Sequence, residues 1–343
     1  MKPLSFLKFV LPISLSLAVV TLSPVFAQSG GSQAIVQYTP HDRLYSVAFN
    51  GDFGLAVGES GLVLQTTDGG KTWAHEVSSP TKLAMFSVAI NGSRSIAVGQ
   101  QGLILVRDGR NAWRKVESIT DQRLLRVSLN KSGVAVAVGA FGTLLKSTDN
   151  GQTWAQLKPD WAKLYKTADT SDFLAARDEP TLYIAKVLDD GSMFIGGEYG
   201  QLNRSTDGGV TWTPVYQASA IQGATPPSLF GMDLKADGTG YAAGHDGLIV
   251  STADSGKTWT KVDSNSHASY FDIASTSDGH VFAVGMRSGI VSADGGKSWQ
   301  QLKDLDINLN WYSGLAHSEN SSGNSIFAVG HSGRVLQLIA NGN

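Results

Sequence analysis

The sequence predicts an all-β fold, a seven-bladed β-propeller with four-stranded blades, and three observations carry that expectation. A glycine closing an apolar run recurs as Gly58, Gly99, Gly139, Gly197, Gly244, Gly285 and Gly330, at intervals of 41, 40, 58, 47, 41 and 45 residues. A tryptophan closes six of these units, as Trp73, Trp113, Trp154, Trp212, Trp259 and Trp299. Glycine makes up 39 of the 343 residues while charged residues reach only 16%. Repeats of about 40 residues built from short apolar runs and glycine turns are the sequence signature of propeller blades.

The elements follow in order within a unit. In the first run Val47 and Phe49 alternate with the small Ser46 and Ala48, the period-two pattern of a strand with one packed face. The second run, Gly54 to Val57, and the third, Leu62 to Thr66, flank a turn at Gly58 to Gly61, where glycine supplies unusual backbone angles. A fourth strand starts at Trp73. The blades are expected at about residues 44–80, 84–120, 124–160, 182–218, 229–265, 270–305 and 310–339 of a single domain, 28–343. The seventh unit offers Tyr312 to Leu315, Ser325 to Val329 and Arg334 to Ile339 but no outer strand. Residues 32–38, Ser-Gln-Ala-Ile-Val-Gln-Tyr, are a strand-like piece that belongs to no unit. They are expected to complete blade seven and close the ring.

Ahead of the tryptophans stands the pattern Ser/Thr-x-Asp-x-Gly-x-Thr/Ser-Trp, the Asp-box or BNR repeat. It is complete around Asp68 and Trp73, Asp149 and Trp154, Asp207 and Trp212, Asp254 and Trp259, and Asp294 and Trp299, whereas blade two keeps only Asp108 and Trp113. Five copies around a ring cannot converge on one substrate. Each Asp is therefore expected to accept backbone N–H bonds within its turn, with Gly permitting positive φ and Trp filling space between blades.

Composition narrows the function. The formal net charge is −2, the 11 arginines are scattered, and no Lys/Arg run exists, so no nucleic-acid partner is expected. Cysteine is absent, which removes disulfides, thiolate metal sites and lipid-bearing cysteines. Residues 1–27, with Lys2 and Lys8 ahead of an apolar stretch and Val25-Phe26-Ala27 at its end, read as a cleaved export signal. The run from Phe9 to Val20 contains a proline and is short of the roughly 20 apolar residues a membrane span needs. The expected location is the periplasm, with no integral membrane segment left after cleavage.

The full repeat, Ala-Val-Gly-x-x-Gly-x-Leu/Ile with an Asp-box and a hydrophobic pair on the inner strand, resembles the photosystem II assembly and stability factor family over residues 32–343. The resemblance implies an exported seven-bladed propeller that grips a newly inserted reaction-centre subunit on the lumenal side in photosynthetic hosts. There the location would be the thylakoid lumen. The chain lacks that pattern's lipid-anchor cysteine and clustered arginine surface.

Function is expected on the face that carries the second-to-third turns and the loops between blades, opposite the Asp-boxes. The turn contents diverge: Glu59-Ser60, Gln100-Gln101, Ala140-Phe141, Glu198-Tyr199, His245-Asp246, Met286-Arg287 and His331-Ser332. Either this rim is tailored to a partner or the turns have drifted freely. The longest loop, Pro159 to Pro180, holds Trp161, Tyr165, Phe173 and Arg177, and a shorter one holds Trp311. These aromatics either anchor a partner or fold back over the core. Along the inner strands, Ser46, Ser87, Arg126, Ile184, Gly231, Asp272 and Ser313 form one channel level, and Ala48, Ala89, Ser128, Lys186, Asp233, Ala274 and Leu315 the next. Lys186 is expected to pair with Asp233 and Arg126 with Asp272.

Asp-boxes also occur in sialidases, so a sialidase-like glycoside hydrolase or a glycan-binding propeller is the alternative. Hydrolysis needs two placed carboxylates or a nucleophile pair, and the inner strands contribute a single arginine, Arg126. None of the seven histidines shows paired ligand spacing. The expectation is a non-catalytic, monomeric scaffold without cofactor or metal. Its partner would be the extracytoplasmic part of a membrane protein or complex.

Overall fold

The computed structural model describes residues 31–36, 38–77, 79–165, 179–220, 225–320 and 323–340. The expected signal, and Phe173 and Arg177 of the long loop, lie outside these residues. Seven antiparallel sheets of four strands each make up the fold, as the repeats predict. The innermost strands are Leu44–Asn50, Met85–Asn91, Leu124–Leu129, Leu182–Val187, Leu229–Leu234, Tyr270–Ser275 and Tyr312–Asn320. Second strands such as Ala135–Gly139 are buried along their whole length, because adjoining blades cover both sheet faces. The outer strands are the least buried, and several are short, two residues long and exposed at Ala74–His75 and Ala155–Gln156.

The ring is closed by both ends of the described chain. Gly31–Val36 pairs antiparallel with Val335–Ile339, setting Gly31 opposite Ile339. Ser32 adds a side-chain tie: its backbone N–H and its hydroxyl donate to Asp304 Oδ2 at 3.2 and 2.5 Å. Asp304 also accepts from the amides of Asp306 and Ile307, capping the short helix Leu305–Leu309. One residue thus fastens the blade-six to blade-seven connector to the closing strand.

Each Asp-containing turn makes the same bonds. In blade three the Ser147 hydroxyl donates to Asp149 Oδ1 at 2.7 Å, the Thr153 amide to Asp149 Oδ1 at 2.9 Å, and the Trp154 indole to the Gly151 carbonyl at 3.0 Å. Gly151 sits at φ +79°, and a Cβ there would lie 2.6 Å from Ile96 of the preceding blade. The glycine therefore meets both a left-handed backbone and a close blade-to-blade approach. In blade two, where the pattern is degraded, Arg107 takes over. It is buried, bonds Glu76 at 2.5 Å and lies 4.6 Å from the Trp113 ring centre.

A β-bulge stands near the start of every inner strand. Leu44 pairs with Gly58 and Ser46 with Val57, leaving Tyr45 as the extra residue. The same shift leaves out Phe86, Leu125, Tyr183, Phe230, Phe271 and, in blade seven, Ser313. This corrects the channel alignment in the last blade. Gly314, not Ser313, is the counterpart of Ser46, and Ala316, not Leu315, that of Ala48. Leu315 is buried in the core between blades six and seven.

Candidate protein-binding face and channel mouth

The second-to-third turns hold one backbone shape whatever their side chains. The second residue of each is left-handed: Ser60, Gln101, Phe141, Tyr199, Asp246, Arg287 and Ser332 have φ between 52 and 61°. Left-handed backbone is costly for a side chain larger than glycine. Backbone bonds hold the shape, for example from the Glu59 amide to the Arg43 carbonyl and from the Leu62 amide to the Glu59 carbonyl, both 2.9 Å.

The structure sorts the rim residues. Phe141, His245, Met286 and Arg287 are exposed, Phe141 to 62% and Met286 to 50%. Asp246 is half-buried and meets His267 at 2.8 Å. Three others are turned inward to secure their own blades. Gln100 Oε1 accepts from the Ala84 amide at 3.0 Å, Glu198 Oε2 from the Thr181 amide at 2.8 Å, and Glu59 Oε2 from the Tyr45 hydroxyl at 2.6 Å. Burial, reinforced by Glu59, pushes the Tyr45 hydroxyl up to about 12. His331 is tied to the connector between blades six and seven: its Nε2 lies 3.0 Å from Asp306 Oδ1, and Asp306 also pairs with Arg334. Burial alone would raise the Asp306 carboxyl, but Arg334 and His331 hold it below its ordinary value.

Three of the expected aromatic anchors are core residues. Trp161, Tyr165 and Tyr199 are buried, Tyr165 completely, in one cluster with Val138, Leu144 and Leu182. The one-turn helix Trp161–Leu164, capped by Asp160, carries the first of them under the rim. Tyr165 stands between Trp161 and Tyr199, with ring centres 6.2 and 6.0 Å apart, both edge to face. The Trp161 indole nitrogen would come within 2.6 Å of a Cβ on Gly142, itself at φ +62°. Trp161 and Tyr165 of the long loop are thus packed between blades three and four. Trp311 is half-buried and stacks on Tyr45 at 6.1 Å.

In the channel, Arg126 and Asp272 meet across the ring at 3.4 Å, as expected. Arg126 also donates to the carbonyls of Tyr183 and Phe230, at 3.4 and 3.3 Å. Burial pushes the Asp272 carboxyl up, against the pull of Arg126. The expected Lys186–Asp233 pair does not form among the described residues. Asp233 Oδ2 instead accepts from the amide and hydroxyl of Ser275, at 2.8 and 2.5 Å. The reason is a repeated stitch: Ser46 accepts from the Val88 amide, Ser87 from Val127, Ser128 from Val187 and Asp272 from Leu315. Asp233 serves the inner-strand edge of the next blade, which has unpaired N–H groups to satisfy.

The bulges make a feature that alternation hides. Tyr45, Phe86, Leu125, Tyr183, Phe230, Phe271 and the smaller Ser313, all half-buried, ring a cavity of about 290 Å³ at the channel mouth, with Arg126 at its floor. Tyr45 and Phe86 lie 5.5 Å apart, Tyr183 and Phe230 5.1 Å, Phe230 and Phe271 5.9 Å. A regular strand would turn Tyr45 to the same side as the core residue Val47. The sequence signal was a column of large apolar residues at the bulge position, and only the register explains it. Beside the collar a groove of about 800 Å³ crosses blades two to four, lined by Gln100, Gln101, Asp121, Gln122, Arg123 and Phe141 and sharing Leu125 and Tyr183 with the collar. Among the described residues no three His, Asp or Glu side chains gather as metal ligands, and no helix is long and apolar enough to cross a membrane.

Residues 31–124 match a family model described as photosynthesis system II assembly factor YCF48. No curated protein matches the chain at a significant level. Among solved structures, "YCF48 bound to D1 peptide" superposes with a TM-score of 0.66 at 18% identity, covering 93% of this chain and 99% of that one. "YCF48 from Cyanidioschyzon merolae" gives 0.69 at 20% identity, covering 90% and 98%. A WD40 propeller, that of RRP9, gives 0.65 at 11% identity, covering 91% and 99%. The resemblance to the photosystem II assembly factor family is thus supported by sequence in the closing strand and first two blades, and the solved structures extend the likeness of fold to all seven.

Proposed function

We propose that this chain is a non-catalytic, extracytoplasmic protein-binding scaffold that supports the assembly or stability of a membrane protein complex. One observation carries the reading. On the turn-and-loop face a single rigid backbone shape is repeated seven times, yet its side chains differ and several large ones, Phe141, Met286 and Arg287 among them, are left exposed. Rigid turns bearing exposed aromatic, Met and Arg side chains suit protein recognition. The family match and a YCF48 structure that holds a D1 peptide support the same direction. In a photosynthetic host the client would belong to photosystem II; in another host, a membrane transporter is a candidate. The reading takes residues 1–27 as an export signal and 28–343 as one propeller acting as a monomer.

The test is site-directed photocrosslinking in the native cell envelope. A crosslinkable residue is placed at Phe141 or Met286 on the rim, and at Lys71 on the Asp-turn face as control. The expected result is one dominant membrane protein captured from the rim positions and not from Lys71. Capture from Lys71 alone, or from no position, overturns the docking face.

A further inference from the structure

The collar at the channel mouth has a chemistry distinct from the rim turns, and this inference rests on the protein-binding reading above. Its walls are apolar and aromatic except at Ser313 in blade seven, and its floor is a guanidinium. Asp272 balances that charge but is buried to 3% exposure on the far side. Arg126, whose side chain is 22% exposed, is thus the charge presented to the cavity. Walls of this kind favour a further aromatic ring packed edge to face. A guanidinium below the ring's electron-rich face is the complementary charge.

Enclosure, more than size, decides between a free ligand and a side chain. The cavity, about 290 Å³, lies at the lower edge of the roughly 300–1,000 Å³ of small-molecule sites, which enclose most of their ligand. It is open above and runs into the neighbouring groove through Leu125 and Tyr183. That groove offers Gln101, with its amide exposed, beside Gln100 and Gln122. Gln100 Oε1 and Gln122 Nε2 already serve the Ala84 amide and Asp121, so the exposed Gln101, whose amide both donates and accepts, is the glutamine that suits an extended peptide backbone, beside the exposed Asp121 and Arg123. At the groove's edge Phe141 is 62% exposed, at the left-handed position that all seven turns share.

We propose that the collar receives one aromatic side chain of an extended partner segment, stacked over Arg126, while the segment's backbone runs along the neighbouring polar groove, past Gln101, toward Phe141.

The test selects linear peptides from a displayed random library on the full chain, then measures them by titration calorimetry. The expected peptides share one aromatic residue, and changing it to Leu or Ala weakens binding, with Ala costing roughly tenfold or more. Phe230→Ala and Phe86→Ala in the protein produce losses of the same size. Leu125→Trp, which fills the cavity without emptying a packed site, does the same, and thermal melts show that each variant is folded. Enrichment of peptides without an aromatic residue, or binding indifferent to all three variants, overturns the proposal. So does saturable binding of free indole or p-cresol as tight as that of the peptides, which would mark a small-molecule site. Rim crosslinks that persist in Phe230→Ala would remove the collar while leaving the scaffold reading intact; loss of crosslinks from every rim position in the wild type would remove both.

Discussion

The two faces of this propeller solve the same problem, a tight turn repeated around a ring, in opposite ways. On the Asp-turn face the side chains make the turn. The Ser or Thr hydroxyl meets its Asp at 2.7–2.8 Å in all five complete copies. On the other face the backbone makes the turn, with seven left-handed residues at φ 52–61° and no required side chain. Where a side chain is the structural bond, its identity recurs. Where main-chain bonds suffice, the side chain is released, either for packing, as with Tyr199, or for solvent and partners, as with Phe141. Divergence among repeats therefore locates freedom, and only burial tells how the freedom is used.

The largest expected effect tests that distinction at the long loop. Tyr165→Ala empties a fully buried site and should destabilise by about 3–5 kcal/mol, with Trp161→Ala close behind. Denaturant unfolding measures both. If either variant unfolds like the wild type, the loop aromatics are available to a partner and the released face extends further than burial indicates. Next comes the junction between the blade-six to blade-seven connector and blade seven. Asp306→Ala strips Arg334 and His331 of their shared carboxylate and should cost about 2 kcal/mol, below the figure for fully buried pairs because both partners are partly solvated. Ser32 is held by Asp304, not Asp306. Hydrogen exchange should therefore open the rim turn of blade seven before the closing strand; simultaneous opening would show the two ties to be one unit.

On the Asp-turn face a single copy should matter less. Asp149→Ala removes bonds that are solvent-exposed, so about 1 kcal/mol is expected. Acid offers a parallel reading. Bonds from the Thr258 and Ser298 hydroxyls hold Asp254 and Asp294 down at about 2. At Asp68 and Asp149 burial pushes upward, but the bonds from Thr72 and Thr153 outweigh it, again to about 2. A carboxyl lowered in the folded state stabilises fully above its unfolded pKa, about 3.9, and loses that contribution as pH falls through its folded value. The melting temperature should thus decline between about pH 4 and 2. Asp149→Asn should shallow the decline; an unchanged slope would mean the turns do not draw on their charge.

What was legible in the sequence follows the same division. Blade number, strand count and closure by the N-terminal strand were readable because the glycines, tryptophans and Asp turns that build them recur. The Arg126–Asp272 pair was also readable, since both residues sit at equivalent strand positions. The Lys186–Asp233 pairing was not, because opposite charge on adjacent blades competes with an unpaired strand amide, and Asp233 answers the amide of Ser275. The collar was not legible because a strand's two-residue alternation assumes regular register, and one bulged residue per blade turns Tyr45, Phe86 and their counterparts out of the core phase. The fate of Trp161 lay beyond periodicity altogether, since only tertiary packing decides whether a loop aromatic faces in or out.

The smallest effect expected is also the one that separates the two uses of a released side chain. Phe141 pays for a left-handed backbone without burying its ring. Phe141→Gly relieves that strain, about 1–2 kcal/mol for an L-residue. Glycine's greater unfolded-state entropy takes back roughly 0.5–1 kcal/mol. A net gain of about 0.5 kcal/mol in unfolding free energy should remain, measurable as a rise in denaturant midpoint at constant slope. Tyr199→Gly, at the same turn position but buried against Tyr165, should instead destabilise, because lost packing exceeds relieved strain. Opposite signs at equivalent positions of neighbouring blades would establish that Phe141 contributes nothing to folding that glycine cannot supply. If Phe141→Gly is also destabilising, its ring is part of the scaffold, and the rim's claim to be a recognition surface loses its most exposed member.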